Sequence, residues 1–158
     1  MATADFKLPP IPYSFTTKKL KVGIVVANWN NHITYPLRDG AMAFLKENGL
    51  KESQIRLTEV PGSFELALGA QWLFKNDCDA VICLGCVIQG DTPHFDYVCK
   101  AATDGINQIG LSFNKPAVFG MLTTLNEQQA LDRAGGKLGN KGTEAAHTAL
   151  WMLALKNN

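Results

Sequence analysis

The sequence predicts an α/β protein in which a four-stranded parallel sheet lies between two layers of helices. Two observations support this prediction. Short apolar runs alternate along the chain with longer segments of helical periodicity, and the first run is almost wholly apolar, as strands covered on both faces are. Alternation of this kind favours a parallel sheet with right-handed crossover connections.

Four runs are predicted to be the strands, at residues 21–27, 55–60, 80–87 and 116–122. Helices are predicted between and after them. The first passes through Leu37 and Leu45 and ends at Asn48-Gly49, a pair that favours a helix C-terminus. The later helices are expected at 64–74, 93–109, 126–133 and 141–155. This series predicts a flavodoxin-like three-layer sandwich.

A chain of 158 residues has the length of one ordinary domain. Residues 20–158 are predicted to form that domain. Residues 1–19 contain Pro9, Pro10 and Pro12 and show little periodicity, so they are predicted to be an N-terminal arm, either loose or docked on a neighbour.

Composition excludes several classes of protein. The net charge is +1, from 15 basic and 14 acidic residues without a run of either sign, which argues against nucleic-acid binding. No apolar stretch reaches the roughly 20 residues that span a bilayer, and the N-terminus does not resemble a signal peptide. The cysteine usage of the chain makes a cytoplasmic, reduced protein the default expectation.

The pair Cys83 and Cys86 has the spacing of a redox C-x-x-C motif, but it lies in a predicted buried strand. Residues three apart in a strand face opposite sides of the sheet, so the two sulfur atoms should point apart. We interpret both as core residues of a protein from a reducing compartment.

Ligands of open α/β sheets bind beyond the carboxyl ends of the strands, and the unusual residues of this chain lie at those ends. After the third strand, Thr92 is predicted as a helix N-cap and Pro93 as the first helical residue. The free N–H groups there would suit a phosphate, and His94 beside them is a candidate for proton transfer. The alternative is a surface histidine that begins a helix.

Other candidates have an ordinary interpretation as well. Trp29 could stack on a flat heterocycle or pack under its loop, and Glu65 could bind a polyol or complement a helix dipole. Arg133 could bind a phosphate or be a solvated helix-end charge. Residues 135–142, with glycines at 135, 136, 139 and 142, are predicted to be a flexible connector whose Lys141 reaches a ligand or water.

His32 and His147 are predicted to lie on the surface. Residues 85–92 resemble a phosphate-binding P-loop, but Asp91 replaces the required lysine, so nucleotide hydrolysis is rejected. No G-x-G-x-x-G opens the first helix, no G-x-S-x-G is present, and no cluster has metal-ligand spacing.

Five segments in this order resemble the lumazine synthase family. They are Ala-Asn-Trp-Asn at 27–30, Pro-Gly-Ser-Phe-Glu at 61–65, residues 85–98, Phe-Gly-Met-Leu-Thr-Thr at 119–124, and residues 127–142. The resemblance covers residues 20–155. It implies condensation of 5-amino-6-(D-ribitylamino)uracil with 3,4-dihydroxy-2-butanone 4-phosphate in riboflavin biosynthesis, without a metal or an organic cofactor.

The resemblance also implies residue roles. On the pyrimidine side, Trp29 would stack on the ring, and Ser63, Phe64 and Glu65 would contact the ring edge and the ribityl chain. The backbone of Cys86, Val87 and Ile88 would also contact the pyrimidine. Phe119 of a neighbouring subunit would form an aromatic wall, and Lys141 would lie near the carbonyls. On the phosphate side the residues are Asp91, Thr92 and Arg133, with His94 transferring protons. Because Asp91 is acidic, we expect its side chain to turn away and its N–H to bind.

Family members form pentamers, and many assemble twelve pentamers into an icosahedral shell. The connector at 139–142 resembles the shell-forming type. Two non-catalytic alternatives stay open from the residues alone: a flavin-binding or storage module, and a shell-forming scaffold.

Overall fold

The computed structural model describes residues 8–11 and 16–156 and confirms the predicted α/β fold. Four parallel strands form one sheet in the order β2-β1-β3-β4. The strands are β1 (Val22–Ala27), β2 (Ile55–Val60), β3 (Ala80–Ile88) and β4 (Ala117–Thr124). β1 and β3 occupy the centre, so their carboxyl ends lie side by side where a ligand can meet both.

Within the described part of the chain, five α-helices accompany the sheet: α1 (Asn31–Glu47), α2 (Leu66–Lys75), α3 (His94–Phe113), α4 (Glu127–Arg133) and α5 (Lys141–Lys156). Two short 3₁₀ turns precede β2 and α2, at Glu52–Gln54 and Ser63–Glu65. The bounds agree with the sequence prediction within a few residues, except that α3 ends at Phe113 rather than at 109.

The two faces of the sheet carry separate cores, which gives the predicted three layers. Ile24 and Ile82 pack on one face with residues of α1, α4 and α5, whereas Val25 and Val81 pack on the other with residues of α2 and α3. Each fully buried aliphatic side chain contributes about 1.5–3 kcal/mol to folding. The alternation along each strand therefore fixes which helix covers which face.

The cysteine prediction is confirmed. Cys83 belongs to the core under α2 and α3, and Cys86 belongs to the opposite core. Both thiols are free, and burial raises the pKa of each to about 12 (for Cys86, Glu127 adds to the effect). A thiol with so high a pKa is inert as a nucleophile at neutral pH.

The segment predicted as a flexible connector is ordered. An antiparallel ribbon of β5 (Ala134–Gly136) and β6 (Gly139–Asn140) leads directly into α5. Gly142 lies so close to α1 that a Cβ atom there would overlap the Leu37 carbonyl. The Asn140 side chain accepts the N–H of Gly142 and donates to the Pro36 carbonyl, so it caps α5 and ties it to α1.

The prediction for His32 is confirmed, since it is exposed, but the prediction for His147 is wrong. His147 is buried on α5 and makes T-shaped ring contacts with Phe44 and Trp151. Its Nε2 lies 2.6 Å from the Pro9 carbonyl oxygen, so the chain before β1 covers it. No local sequence pattern indicates this cover. Of the predicted arm, residues 1–7 and 12–15 lie outside the described residues.

Candidate active site

A cavity of about 610 Å³ opens beyond the carboxyl ends of β1, β2 and β3. The loops after these strands and the first turn of α3 form its walls. Most of the residues predicted for the site line it: Trp29, Ser63, Phe64, Glu65, Cys86, Val87, Ile88, Thr92 and His94. Asn30, Gly90, Phe95 and Val98 also line it.

Backbone hydrogen bonds hold the loop that carries Trp29. The N–H of Trp29 donates to the Pro61 carbonyl at 3.0 Å, and Asn28 N–H donates to Val60 at 2.8 Å, which ties this loop to the end of β2. Asn30 adopts a left-handed conformation (φ 60°), which asparagine tolerates better than most residues. Its side-chain amide donates to the Cys86 carbonyl at 3.1 Å. The Trp29 side chain itself is 73% exposed.

The loop after β2 presents side chains of different burial. Ser63 is buried against Gly85 of β3, where a Cβ atom would come within 2.7 Å of the serine hydroxyl. Phe64 is 62% exposed. One carboxylate oxygen of Glu65 accepts the N–H of Gly62 at 3.1 Å, which fixes the loop, and Glu65 lines the cavity.

The start of α3 differs from the prediction by one residue. The helix begins at His94, Pro93 is in the N-cap position, and Thr92 makes no capping hydrogen bond. The predicted N-cap role of Thr92 is therefore wrong. His94 is exposed and lines the cavity, whereas Asp91 does not line it. The N–H of Gln89 extends the pairing of β3 with β4 by donating to Thr124 at 2.8 Å, which holds the base of this loop.

Phe119 and Lys141 lie elsewhere. They line a second cavity of about 760 Å³ beside the free edge of β4, between α3 and α5. Apolar side chains also border it, including Leu111, Met152 and Leu155, all of which are exposed. No residue of the first cavity lines the second.

Arg133 lines neither cavity and is bound to a carboxylate. Its Nη1 and Nη2 donate to the two oxygens of Glu144, at 2.8 and 2.9 Å, and Nη1 also donates to the Leu138 carbonyl at 2.6 Å. Lys141 Nζ lies 3.4 Å from Glu144 Oε2. Burial raises the pKa of Glu144, but Arg133 and then Lys141 outweigh it and lower the pKa overall. The carboxylate thus holds both cations in one cluster.

One copy of the chain therefore does not bring the predicted residues into a single cavity. Trp29 and His94 meet in the first, and Phe119 and Lys141 meet in the second. The sequence analysis missed Asn30 and Glu144, which hold the two regions in place. Glu144 had a signal, since it lies three residues after Lys141 on the same helix face, and Asn30 had one in its position beside Trp29 at the carboxyl end of the first strand.

Among residues 8–11 and 16–156, no three His, Cys, Asp or Glu side chains are grouped as a metal ion would need. None of the helices in that part of the chain is long and apolar enough to cross a membrane.

The fold and the first cavity define an α/β protein of the class that binds small molecules beyond the carboxyl edge of a parallel sheet. The family model of 6,7-dimethyl-8-ribityllumazine synthase matches residues 19–157. Two proteins of that name are similar to this chain over nearly their whole length. The one from Cytophaga hutchinsonii is 62% identical over 98% of both chains, and the one from Phocaeicola vulgatus is 49% identical over 99% of this chain and 95% of its own.

The chain belongs to the 6,7-dimethyl-8-ribityllumazine synthase family. It is a transferase of riboflavin biosynthesis, and nothing in these matches favours a storage module or a scaffold.

Proposed function

We propose that this chain condenses 5-amino-6-(D-ribitylamino)uracil with 3,4-dihydroxy-2-butanone 4-phosphate, in a site that two copies of the chain form together. The observation that carries the proposal is the division of the site residues. Trp29 and His94 line one cavity, whereas Phe119 and Lys141 line another, with Arg133 held beside Lys141 by Glu144. We infer that one copy supplies the first cavity and that the next copy supplies Phe119, Arg133 and Lys141.

The first cavity suits the pyrimidine. The exposed indole of Trp29 offers a flat face for stacking, and Phe64 offers a second aromatic surface. The backbone of Cys86–Ile88 ends β3 inside the cavity, where its amide groups can pair with the ring edge. Glu65 accepts hydrogen bonds from the ribityl hydroxyls with the lone pairs that its bond to Gly62 leaves free.

The phosphate is held by the N–H groups before and in the first turn of α3, with Arg133 of the neighbouring copy opposite them. Arg133 uses one N–H on Nη2 and both on Nη1 within its own chain. Since a guanidinium has five N–H donors, Nε and one Nη2 hydrogen stay free for the phosphate. Asp91 contributes its N–H, and its carboxylate points away from the phosphate.

The reaction needs orientation and proton transfer. The pyrimidine amine attacks the ketone, water leaves to give an imine, elimination releases phosphate, and closure of the second ring releases another water. No oxidant or reductant is consumed, and no cofactor is required. Alignment of two reactants supplies about 7–11 kcal/mol in favourable cases. His94 accepts and returns protons at the carbon and oxygen atoms beside the imine.

Exposed apolar surface supports association of the chain into a homopentamer or an icosahedral assembly of pentamers. The 20-residue helix α3 buries only Ala102 and Ile106, and the second cavity is bordered by exposed leucines. Large apolar side chains exposed around one cavity are typical of surfaces that associate. The mass from light scattering separates the pentamer from the shell. The free, buried thiols support a cytoplasmic location.

Mixed assemblies test the shared site. His94→Ala damages the half with the first cavity, and Arg133→Ala damages the other half. The two variants are refolded separately and as an equal mixture, and lumazine fluorescence is followed at a sugar phosphate concentration well below the native KM, where the raised KM of Arg133→Ala leaves that variant nearly inactive. Random mixing restores about a quarter of the native activity, because that fraction of interfaces joins two intact halves. Activity no higher than the mean of the separate variants overturns the shared site.

A further inference from the structure

The ribbon of β5 and β6 separates Arg133 from Lys141, the two cations that the Glu144 carboxylate holds. Arg133 directly precedes the ribbon and Lys141 directly follows it, so the closure of the ribbon sets where the guanidinium and the ammonium groups lie. The strands contain three and two residues and pair with an irregular register. So short a hairpin is marginal by itself, and contacts from outside must keep it closed.

Asp132, in the last turn of α4, provides such contacts. Its carboxylate accepts the side-chain amide of Gln128 at 2.9 Å and lies 3.0 Å from Lys137 Nζ at the tip of the ribbon. The Asp132 side chain is 11% exposed, whereas that of Lys137 is 71% exposed. Gln128 thus fixes the carboxylate from α4, and the carboxylate draws the tip of the ribbon back toward the helix.

The same tip is also fixed through the backbone. The N–H of Leu138 donates to the Asp132 carbonyl at 2.9 Å, and the Leu138 carbonyl accepts from Arg133 Nη1. Gly136 packs so tightly on the end of α4 that a Cβ atom there would lie 2.7 Å from the Leu131 carbonyl oxygen. The direction of the Arg133 guanidinium therefore depends on the position of the tip that Asp132 and Lys137 hold.

We propose that Asp132 and Lys137 form a positioning pair for the condensation: they keep the ribbon closed and so aim Arg133 at the phosphate of the sugar substrate. This inference rests on the phosphate role of Arg133 proposed above. Neither member of the pair touches the substrate, and both act through Arg133.

Lys137→Met is the mild test, because this exposed side chain can be replaced without disturbing the core. The KM for the sugar phosphate rises about two- to fivefold, the range expected for an exposed ion pair, while kcat and the KM for the pyrimidine keep their values. Lys137→Arg restores the native KM. Lys100→Met is the matched control, since Lys100 is equally exposed (76%) and paired with Asp104 on α3.

Asp132→Asn separates positioning from a direct effect of charge. If Lys137 attracted the phosphate by its own charge, removal of its carboxylate partner would strengthen that attraction and lower the KM for the sugar phosphate. A positioning pair predicts the opposite, a rise at least as large as that of Lys137→Met. Inorganic phosphate, used as a competitive inhibitor, binds more weakly to Asp132→Asn and to Lys137→Met than to the native protein, by the same factor as the rise in KM. A lowered KM in Asp132→Asn overturns the inference.

Arg133→Ala, measured in parallel, separates the phosphate role of Arg133 from the positioning role of Asp132 and Lys137. If it raises the KM for the sugar phosphate while Lys137→Met and Asp132→Asn both leave it unchanged, the positioning pair is refuted and the proposed function stands. If Arg133→Ala also leaves that KM unchanged, the phosphate role and the positioning pair are both refuted. Should Asp132→Asn fail to fold, Lys137→Met decides the question.

Discussion

The two regions that the proposed site combines are built in different ways. The first cavity is fixed by backbone: strand ends, loop carbonyls and one helix start, with Asn30 as the main side-chain tie. The second region is fixed by side-chain charges, with Arg133 and Lys141 on either side of Glu144. A backbone frame gives a shape that tolerates substitution of its lining residues, whereas a charge cluster loses its arrangement with one member.

The largest effect is expected in the first region, at His94. His94→Ala lowers kcat by about 10²–10⁴-fold, the usual contribution of general acid–base catalysis, and leaves both KM values nearly unchanged because the frame of the cavity does not depend on this side chain. Steady-state kinetics with both substrates measure it. His32→Ala is the control, since His32 is exposed nearby but does not line this cavity. An unchanged kcat would remove His94 from its role.

The second region is expected to respond in substrate affinity. Arg133→Ala raises the KM for the sugar phosphate by about 10–100-fold, the equivalent of one or two charged hydrogen bonds, and changes the KM for the pyrimidine far less. Arg38→Ala is the matched control, because Arg38 is similarly buried and also pairs with carboxylates. Equal effects on both substrates would contradict a phosphate role.

A smaller effect is expected in the first region, on the affinity for the lumazine product. Trp29→Ala weakens binding of the lumazine product by about tenfold, and Trp29→Phe recovers most of it, since a smaller ring still stacks. Titration calorimetry measures the dissociation constants. Trp72→Phe is the control, because Trp72 is half-exposed on α2 and does not line the cavity. If Trp29→Ala binds as tightly as the native chain, the indole does not contact the ring.

The same contrast explains how much the sequence could predict. The sheet, its helices and the cavity of Trp29 and His94 follow from hydrophobic periodicity and from the rule that ligands bind at the carboxyl edge of such sheets. The bond from Asn30 to Cys86 and the cover over His147 join residues far apart in sequence, and the bond from Arg133 to Glu144 joins two different helices. No local pattern encodes such contacts, so they required the fold.

The smallest effect concerns the pH dependence of stability in the second region. The pKa of Glu144 is lowered in the folded chain, so the unfolded chain binds the proton more readily. The ion-pair contribution is therefore complete above the ordinary pKa of a glutamate, about 4.3, and is lost as pH falls through the lower pKa of the folded state. Thermal unfolding of the native chain from pH 6 to pH 3 should show this loss.

Glu144→Gln removes the titrating group, so its unfolding temperature should be lower than that of the native chain at pH 6 and should approach it toward pH 3. Glu52→Gln is the control, because Glu52 forms a single exposed contact with Lys46. Its unfolding temperature at pH 6 should stay close to that of the native chain. A constant difference between the Glu144→Gln and native curves across this range would mean that the charge of Glu144 does not hold the cluster. In that case the geometry of Arg133 and Lys141 would depend, like the first region, on the backbone of α4, the ribbon and α5.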